Sequence, residues 1–427
     1  MSNISIQAAV DKTLKRRYAR ERRFRAYGLA AVLVGLVFLV AFFANIVSNG
    51  VSAFRQTEIV LPVVVSAADV DPKGDRSRES LEGGDYDIVI RDSLARLFLD
   101  VKSRVDKRAV GGLVSAESSF LLRERVLEDP DLIGEQIELR VPASANIDML
   151  IKGNVDPSLD ESQRTVSDRQ IRWVDELKSL NRIYTRFNTA LFVNGDSRDP
   201  ELAGIRGAFM GSVYMLLVTV LLAFPVGVAA AVYLEEFAPR NRWTDLIEVN
   251  INNLAAVPSI VYGLLGLAVF INWMALPRSA PLVGGLVLAL MTLPVVIIAA
   301  RAAIKSVPPS IREAALGLGA SQVQTVFQHV VPLALPGILT GTIIGMARAL
   351  GETAPVLMIG MVAFIVDIPG GPLEPATALP VQVYLWADSP ERAFVERTSA
   401  AIIVLLGFLL LMNLAAVLLR RRFERSW

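Results

Sequence analysis

The sequence predicts an all-α, polytopic membrane protein with six transmembrane helices and an α+β domain between the first two. Three observations predict this class. Of the 427 residues, 53% are hydrophobic, and the mean hydropathy is +0.47, which is more apolar than in ordinary soluble domains. Six apolar runs are each long enough to cross a hydrocarbon core of about 30 Å. One long polar stretch lies between the first and second runs.

The first apolar run extends from Ala26 to Val47 and follows a basic segment. Residues 1–25 carry eight Lys and Arg residues against two acidic ones. A cleaved signal peptide is the alternative interpretation, but the run is longer than a typical signal-peptide core. We therefore expect an uncleaved transmembrane helix over 26–48, preceded by a basic cytoplasmic N-terminus.

Residues 49–205 are predicted to form an extracytoplasmic α+β domain. The chain contains no cysteine, so this domain must be stabilised by packing without disulfides. Six apolar residues, spaced three and four apart, predict a helix that packs on the domain core; a helix lying on the membrane surface is the alternative. They are Trp173, Leu177, Leu180, Tyr184, Phe187 and Leu191.

Five further spans are expected in a core covering residues 206–420. They are 207–234, 249–273, 282–304, 334–364 and 399–419. An even number of spans returns the C-terminus to the side of the N-terminus. The chain ends in "RRRFERSW", and basic flanks favour the cytoplasm. Both termini, including the basic tail at 421–427, are therefore predicted to be cytoplasmic.

The loop at 305–333 is predicted to form a helix, a glycine turn and a second helix. Ser310 and Glu313 have the spacing of a capping box, and "SQVQ" repeats that spacing from Ser321. Gly317 and Gly319 supply the turn. Such a short helix pair suits insertion into a groove on another protein. The alternative is that Glu313 only caps a connecting helix.

The stretch "EAALGLGASQVQTVFQHVVP" resembles the EAA loop of ABC-importer permeases. The residues that match the pattern are Glu313, Ala314, Ala315, Gly319 and Pro332. The end departs from the pattern, because His329 and Val331 stand where the family has Ile and Leu. The resemblance implies that this loop, with Ser310 at its start, couples the chain to a separate ATPase subunit.

Three more stretches, "FPVGVAAAVYLEEFAP", "NNLAAVPSIVYGLLGL" and "ARALGETAPVL", resemble the phosphate ABC-transporter permeases of the PstA type. The resemblance covers roughly residues 200–420 and implies the type I ABC importer fold in a bacterial inner membrane. It also implies a second permease chain (PstC type), two ATPases that hold ATP and Mg²⁺ (PstB type), and a phosphate-binding protein (PstS type). No cofactor is expected in this chain. Residues 49–205 look like an insertion found in a longer subgroup.

Arg348 and Glu352 are ionisable residues inside an apolar stretch, where a charge costs about 2.5–3.5 kcal/mol. Their spacing allows them to pair. Gly337, Gly341 and Gly345 form overlapping GxxxG steps that let another helix approach closely. One hypothesis is an anion pathway in which Arg348 contacts the anion and Glu352 balances its charge. A structural ion pair is the alternative.

Three further residues complete the predicted pathway. Thr342 and Thr353 are expected to donate hydroxyl hydrogen bonds. Arg301 is either a cation at the inner mouth of the pathway or an arginine whose head group extends to the membrane surface.

The sequence also limits the class of function. It has no GxxxxGK[ST] motif, so nucleotide phosphates are not bound by a P-loop in this chain. One histidine and no cysteine exclude the common His-pair and cysteine zinc sites, and we expect no metal. A net charge of +1 does not suggest a nucleic-acid partner. A permease for phosphonate, molybdate or sulfate, or a membrane receptor or scaffold, remain as alternatives.

Overall fold

The computed structural model describes residues 3–98, 101 and 103–423, and these are mostly helical. Five of the described helices are long and apolar enough to cross a membrane, and a bent helix pair is a sixth candidate. We label the five α1 (Arg16–Phe54), α2 (Arg206–Phe237), α3 (Pro281–Lys305), α4 (Gln322–Gly351) and α5 (Ala393–Arg422). The end of the predicted basic tail, residues 424–427, lies outside the described residues.

The first helix is continuous across the predicted boundary between the basic N-terminus and the first span. The regular helix begins at Asn3 and ends at Gly50, and a 3₁₀ turn at Ser52–Phe54 follows it, so α1 is the membrane-length part of a longer helical segment. The basic segment continues the helix because it is rich in alanine, lysine and arginine, which are good helix formers. Residues up to Asn49 form one compact unit, and the chain from Gly50 onward forms another.

The predicted span at 249–273 is wrong as a single helix. The structure has two helices here, Arg242–Ala255 and Ser259–Trp273, which meet at an angle of 98°. Pro258 lies at the break. Proline has no N–H to donate, and it disfavours helical dihedrals in the residue before it. We call these two helices the bent pair.

The predicted span at 334–364 has different ends in the structure. The helix begins at Gln322, passes through a π turn at Thr325–Val330, and ends at Gly351. Pro332 therefore lies within α4 and does not close the preceding loop. Beyond Glu352, the chain forms short helices at Ala354–Met358 and Leu379–Ala387 joined by irregular segments.

The segment between α1 and α2 contains a three-stranded antiparallel sheet surrounded by short helices. Strand β1 (Arg55–Val64) lies between β2 (Gln136–Pro142) and β3 (Ile183–Phe187). Ile59, Leu61 and Val63 alternate along β1 and so share one face of the sheet, where they are fully buried in the core formed with the helices. The helices are Ala67–Val70, Arg78–Glu82, Tyr86–Leu97, Arg104–Gly111, Glu117–Glu128, Ala145–Ile151, Asp168–Ser179 and Ala190–Val193. We call residues 55–205 the added domain.

The long amphipathic helix predicted in this domain is only partly correct. A helix spans Asp168–Ser179, and its Trp173 and Leu177 are buried in the core. The helix ends because Asn181 adopts a positive φ of 52°, a conformation that asparagine tolerates better than most residues. Tyr184 and Phe187 then lie on β3 with exposed side chains.

Candidate functional site

Arg348 and Glu352 contact each other at the end of α4. Nε of Arg348 donates to Oε1 of Glu352 at 3.3 Å. The Arg348 side chain remains 52% exposed, whereas that of Glu352 is 18% exposed. Within the described part of the chain, the guanidinium makes no other hydrogen bond. Its two terminal nitrogens are therefore free to donate to a further group.

The glycine face of α4 packs directly against α3. A Cβ atom added to Gly337 would lie 2.7 Å from Cβ of Ala303, and one added to Gly341 would lie 2.1 Å from Cβ of Ala299. Real Cβ atoms do not approach other atoms so closely, so these positions require glycine. The close helix approach predicted from the GxxxG steps is confirmed, and the neighbour is a helix of the same chain.

The segment that follows Glu352 is held by the second helix of the bent pair. A Cβ atom added to Gly263 would lie 2.7 Å from Cα of Pro355 and 2.9 Å from its carbonyl oxygen. Pro355 and Val356 are buried at this contact. Two of the three stretches that carry the family resemblance therefore meet beside the Arg348–Glu352 pair.

The two threonines lie in different surroundings. Thr353 immediately follows Glu352 and precedes the Ala354–Met358 helix. The hydroxyl of Thr342 instead donates to the carbonyl of Ile338 within α4, at 3.0 Å. Thr342 also lines an apolar cavity of about 530 Å³ formed with α2 and α5. Six residues separate Thr342 from Arg348. At about 100° per residue, the two side chains lie about 120° apart around the helix axis, so Thr342 does not share the face of Arg348.

Arg301 contacts two carboxylates near the Lys305 end of α3. Its Nε and one terminal nitrogen each lie 3.4 Å from Oε2 of Glu235, and it also pairs with Glu248 of the bent pair. The Arg301 side chain is only 19% exposed. These contacts favour a role in joining helices over a role in the pathway.

A second arginine, Arg312, joins the loop at 305–333 to the end of α2. Its guanidinium donates to Oε1 of Glu236 at 2.6 Å and 3.1 Å, and to the carbonyls of Val307 and Ile304 at 2.7 Å and 3.0 Å. Gln322 donates to the carbonyl of Glu236 at 2.7 Å. This contact was not predicted from the sequence, although the adjacent glutamates of "YLEEFAP" were a signal for it.

The loop itself differs from the prediction at its first helix. That helix covers Pro309–Gly317, and Ser310 lies inside it, so the Ser310–Glu313 capping box does not form. The box at Ser321 is confirmed, with Gln324 N at 3.2 Å from the serine oxygen. Gly319 has a φ of 88° and makes the turn. Ala314 is exposed, whereas Ala315 is buried.

The apolar residues of the loop divide between two faces. Ile311, Val326 and Val330 pack into the core formed with α2 and α3. Four large apolar side chains remain exposed on the other face, each by half or more. They are Leu316, Leu318, Val323 and Phe327.

The membrane-length helices, the charged pair beside the glycine face of α4 and the exposed loop are features of a polytopic membrane protein. Two family models match the chain. One, described as "Binding-protein-dependent transport system inner membrane component", matches residues 223–426. The other, a domain of unknown function (DUF3333), matches residues 11–161.

Individual relatives agree with the first model. The chain is 40% identical to the probable ABC transporter permease YqgI of Bacillus subtilis over 36% of this chain and 52% of that protein. It is 35% identical to the phosphate transport system permease PstA 1 of Mycobacterium tuberculosis over 51% of this chain and 70% of that one. It is 32% identical to PstA of Xylella fastidiosa over 53% of this chain and 78% of that protein.

The chain belongs to the PstA-type family of binding-protein-dependent transport permeases. It spans about half of the length of YqgI and about three quarters of the length of the PstA proteins. Among solved structures, the inward-facing methionine transporter MetNI is 18% identical, with a TM-score of 0.43 over 52% of this chain and 96% of that chain. This superposition is too loose to carry an argument.

Proposed function

We propose that this chain is the membrane-spanning permease subunit of an ATP-driven phosphate importer. It forms half of the pathway, and a homologous PstC-type chain forms the other half. Two PstB-type ATPases bind on the cytoplasmic side, and a PstS-type phosphate-binding protein delivers the anion outside. The names of the PstA relatives support phosphate as the substrate, and the description of the matching family model supports a binding-protein partner.

One observation carries the proposal: Arg348 is half exposed and contacts Glu352 through a single nitrogen. A guanidinium presents its nitrogens in a planar fork that matches the oxygens of phosphate. The contact to Glu352 lowers the charge of the empty site and competes with the anion, so the anion is held briefly and then released. Thr353, next to Glu352, is placed to add a hydroxyl donor.

The loop at 305–333 transmits the movement of the ATPases. Its exposed apolar side chains, among them Leu318 at 90% exposure and Phe327 at 58%, suit a groove on the ATPase surface. The Arg312–Glu236 contact joins the loop to α2, and α4 continues from the loop without a break to Arg348. A displacement of the loop therefore reaches the pathway through a rigid helix.

We infer the orientation from the charged flanks of the chain. Residues 1–25 and 421–427 are basic and cytoplasmic, 26–48 and the helices within 206–420 cross the membrane, and 49–205 face the outside. This arrangement requires that the bent pair crosses the membrane as one broken span.

Uptake of radiolabelled phosphate by the assembled transporter tests the proposal. We expect Arg348→Ala to abolish uptake and Arg348→Lys to restore only part of it, because lysine keeps the charge but not the fork. Arg278→Ala, at an exposed arginine between the bent pair and α3, is the matched control and should transport normally. Normal uptake with Arg348→Ala would leave only a structural ion pair. Uptake that is blocked better by molybdate or sulfate than by excess phosphate would identify a different oxyanion.

A further inference from the structure

Five ionisable side chains are buried together where the added domain meets the start of α5. Lys152 of the domain lies 2.6 Å from Oδ2 of Asp148 and 2.7 Å from Oε1 of Glu396, which belongs to α5. The side chains of all three are less than 10% exposed. Arg397 and Glu201, exposed by 3% and 6%, complete the group. We call these five residues the junction cluster.

Hydrogen bonds from the backbone and from neutral side chains fix the junction cluster. The backbone N–H of Thr57, on β1, donates to Oδ1 of Asp148 at 3.0 Å. Asn154 donates to the second oxygen of Glu396 at 3.3 Å. Arg397 donates to the backbone carbonyl of Glu201 at 3.4 Å. The sheet of the added domain is therefore connected to α5 through a continuous set of polar contacts.

Close backbone packing flanks the cluster. A Cβ atom added to Gly50 would lie 2.8 Å from the carbonyl carbon of Ser399 and 3.0 Å from N of Ala400. Ala53, Ala400 and Ala401 are fully buried in the adjoining apolar cluster. Small residues at these positions let the segment that leads into the added domain lie directly against α5.

Buried charges favour one arrangement because each must keep its partner. If the domain shifted along α5 while the cluster stayed buried, Glu396 would lose Lys152 and Arg397 would lose the carbonyl of Glu201, and an unpaired buried charge is strongly unfavourable. Within the described residues, Nη1 of Arg397 already has no hydrogen-bond partner, so loss of the Glu201 carbonyl would leave this buried guanidinium with still fewer contacts.

We propose that the added domain is fixed to the outer end of α5 through the junction cluster, and that the two move as one body during transport. The domain thus positions the outer end of a pathway helix and passes to it any force that acts on the domain from outside. That the movement belongs to a transport cycle rests on the proposed function. The attachment of the added domain to α5 is inferred only from the contacts of Lys152, Glu396 and Arg397.

Spin labels attached to introduced cysteines measure the distance between the added domain and α5, because the chain has no native cysteine. One label replaces Phe120, which is exposed on the added domain, and the other replaces Val395, which is exposed on α5. In the assembled transporter, we expect the same distance distribution with and without trapped nucleotide. A distance that shifts between the two states would overturn the proposal.

The labelled full-length chain in lipid nanodiscs then tests the role of the cluster without any transport step. Lys152→Met should broaden the distance distribution, whereas Lys178→Met, at an exposed lysine of the same domain, should leave it unchanged. An unbroadened distribution in a folded Lys152→Met chain would overturn the role of the cluster. If that variant does not fold, the comparison of nucleotide states still decides the proposal. Failure of phosphate uptake in the unsubstituted transporter would count against the proposed function alone.

Discussion

At the scale of single residues, two adjacent glutamates at the end of α2 have separate tasks. Glu235 contacts Arg301 of α3, and Glu236 contacts Arg312 of the loop at 305–333. Only the second contact joins the transmembrane helices to the segment proposed to bind the ATPase. The same substitution made at Glu235 and at Glu236 therefore gives a matched comparison of the two contacts.

We predict that Glu236→Gln weakens coupling more than Glu235→Gln does. The substitution replaces a charge-assisted contact with a neutral one, a loss of about 1–2 kcal/mol. Phosphate uptake per ATP hydrolysed by the reconstituted transporter is the measurement. For Glu236→Gln it should fall several-fold while ATP hydrolysis continues. Equal effects of both substitutions would mean that the Arg312 contact has no special role in coupling.

Asp196 is a second residue with a specific expectation. It lies in the segment before α2 and is buried, and its Oδ1 accepts from Nε1 of Trp386, on the helix Leu379–Ala387, at 2.9 Å. Burial raises the pKa of Asp196 above its ordinary 3.8, although hydrogen bonds from the Trp386 side chain and the backbone N–H of Ser197 oppose the rise. The folded chain therefore binds this proton more tightly than the unfolded chain does.

It follows that Asp196 favours folding most below its ordinary pKa, and that this contribution is lost as the pH rises through the raised pKa. Asp196→Asn keeps the acceptor for Trp386 but cannot ionise. We predict that its thermal stability relative to the unsubstituted chain increases as the pH rises from the ordinary pKa of 3.8 through the raised pKa of Asp196. Asp196→Ala should instead be less stable by about 1–3 kcal/mol, because the Trp386 N–H is left unpaired. A pH-independent difference for Asp196→Asn would contradict this account.

At the scale of elements, the contact between α3 and α4 sets the position of Arg348. We predict that Gly341→Ala destabilises the chain by about 1–3 kcal/mol, because the added methyl group overlaps Ala299. Gly407→Ala, on α5, is the control, since a Cβ there meets nothing within 4 Å. Thermal unfolding in detergent gives both values. Equal stability of the two variants would mean that α3 and α4 can move apart without a loss of stability.

The elements that could be predicted from sequence are those fixed by local chemistry. The apolar runs, the glycine face of α4, the turn at Gly319 and the capping box at Ser321 all depend on residues close together in the chain. The Arg348–Glu352 contact was predictable for the same reason, since four residues separate the partners.

The elements that were mispredicted depend on more distant contacts. Tyr184 and Phe187 continue a helical spacing, but β3 forms because it pairs with β1, more than 120 residues earlier. Gly351 and Pro355 are local signals for the end of α4, whereas the position of the next segment depends on its contact with Gly263, far away in the chain. The Arg312–Glu236 contact likewise joins residues 76 apart, which spacing along the chain does not reveal.

At the scale of the whole molecule, the number of membrane crossings depends on the bent pair. Five helices alone would leave the termini on opposite sides, whereas the proposed function needs both on the cytoplasmic side. Neither helix of the bent pair is long enough by itself, because 14 residues cover about 21 Å at 1.5 Å per residue. The two must therefore cross together or return to the same side.

Single-cysteine labelling distinguishes these arrangements. Arg240→Cys precedes the bent pair, Arg278→Cys follows it, and both positions are exposed. We predict that a membrane-impermeant maleimide added to intact cells labels Arg278→Cys but labels Arg240→Cys only after the membrane is opened. Ser158→Cys, exposed in the added domain, should label from outside and is the control for that side. If Arg240→Cys and Arg278→Cys label from the same side, the bent pair is a re-entrant loop. The loop at 305–333 would then face the compartment of the added domain, where no ATP-driven subunit could reach it.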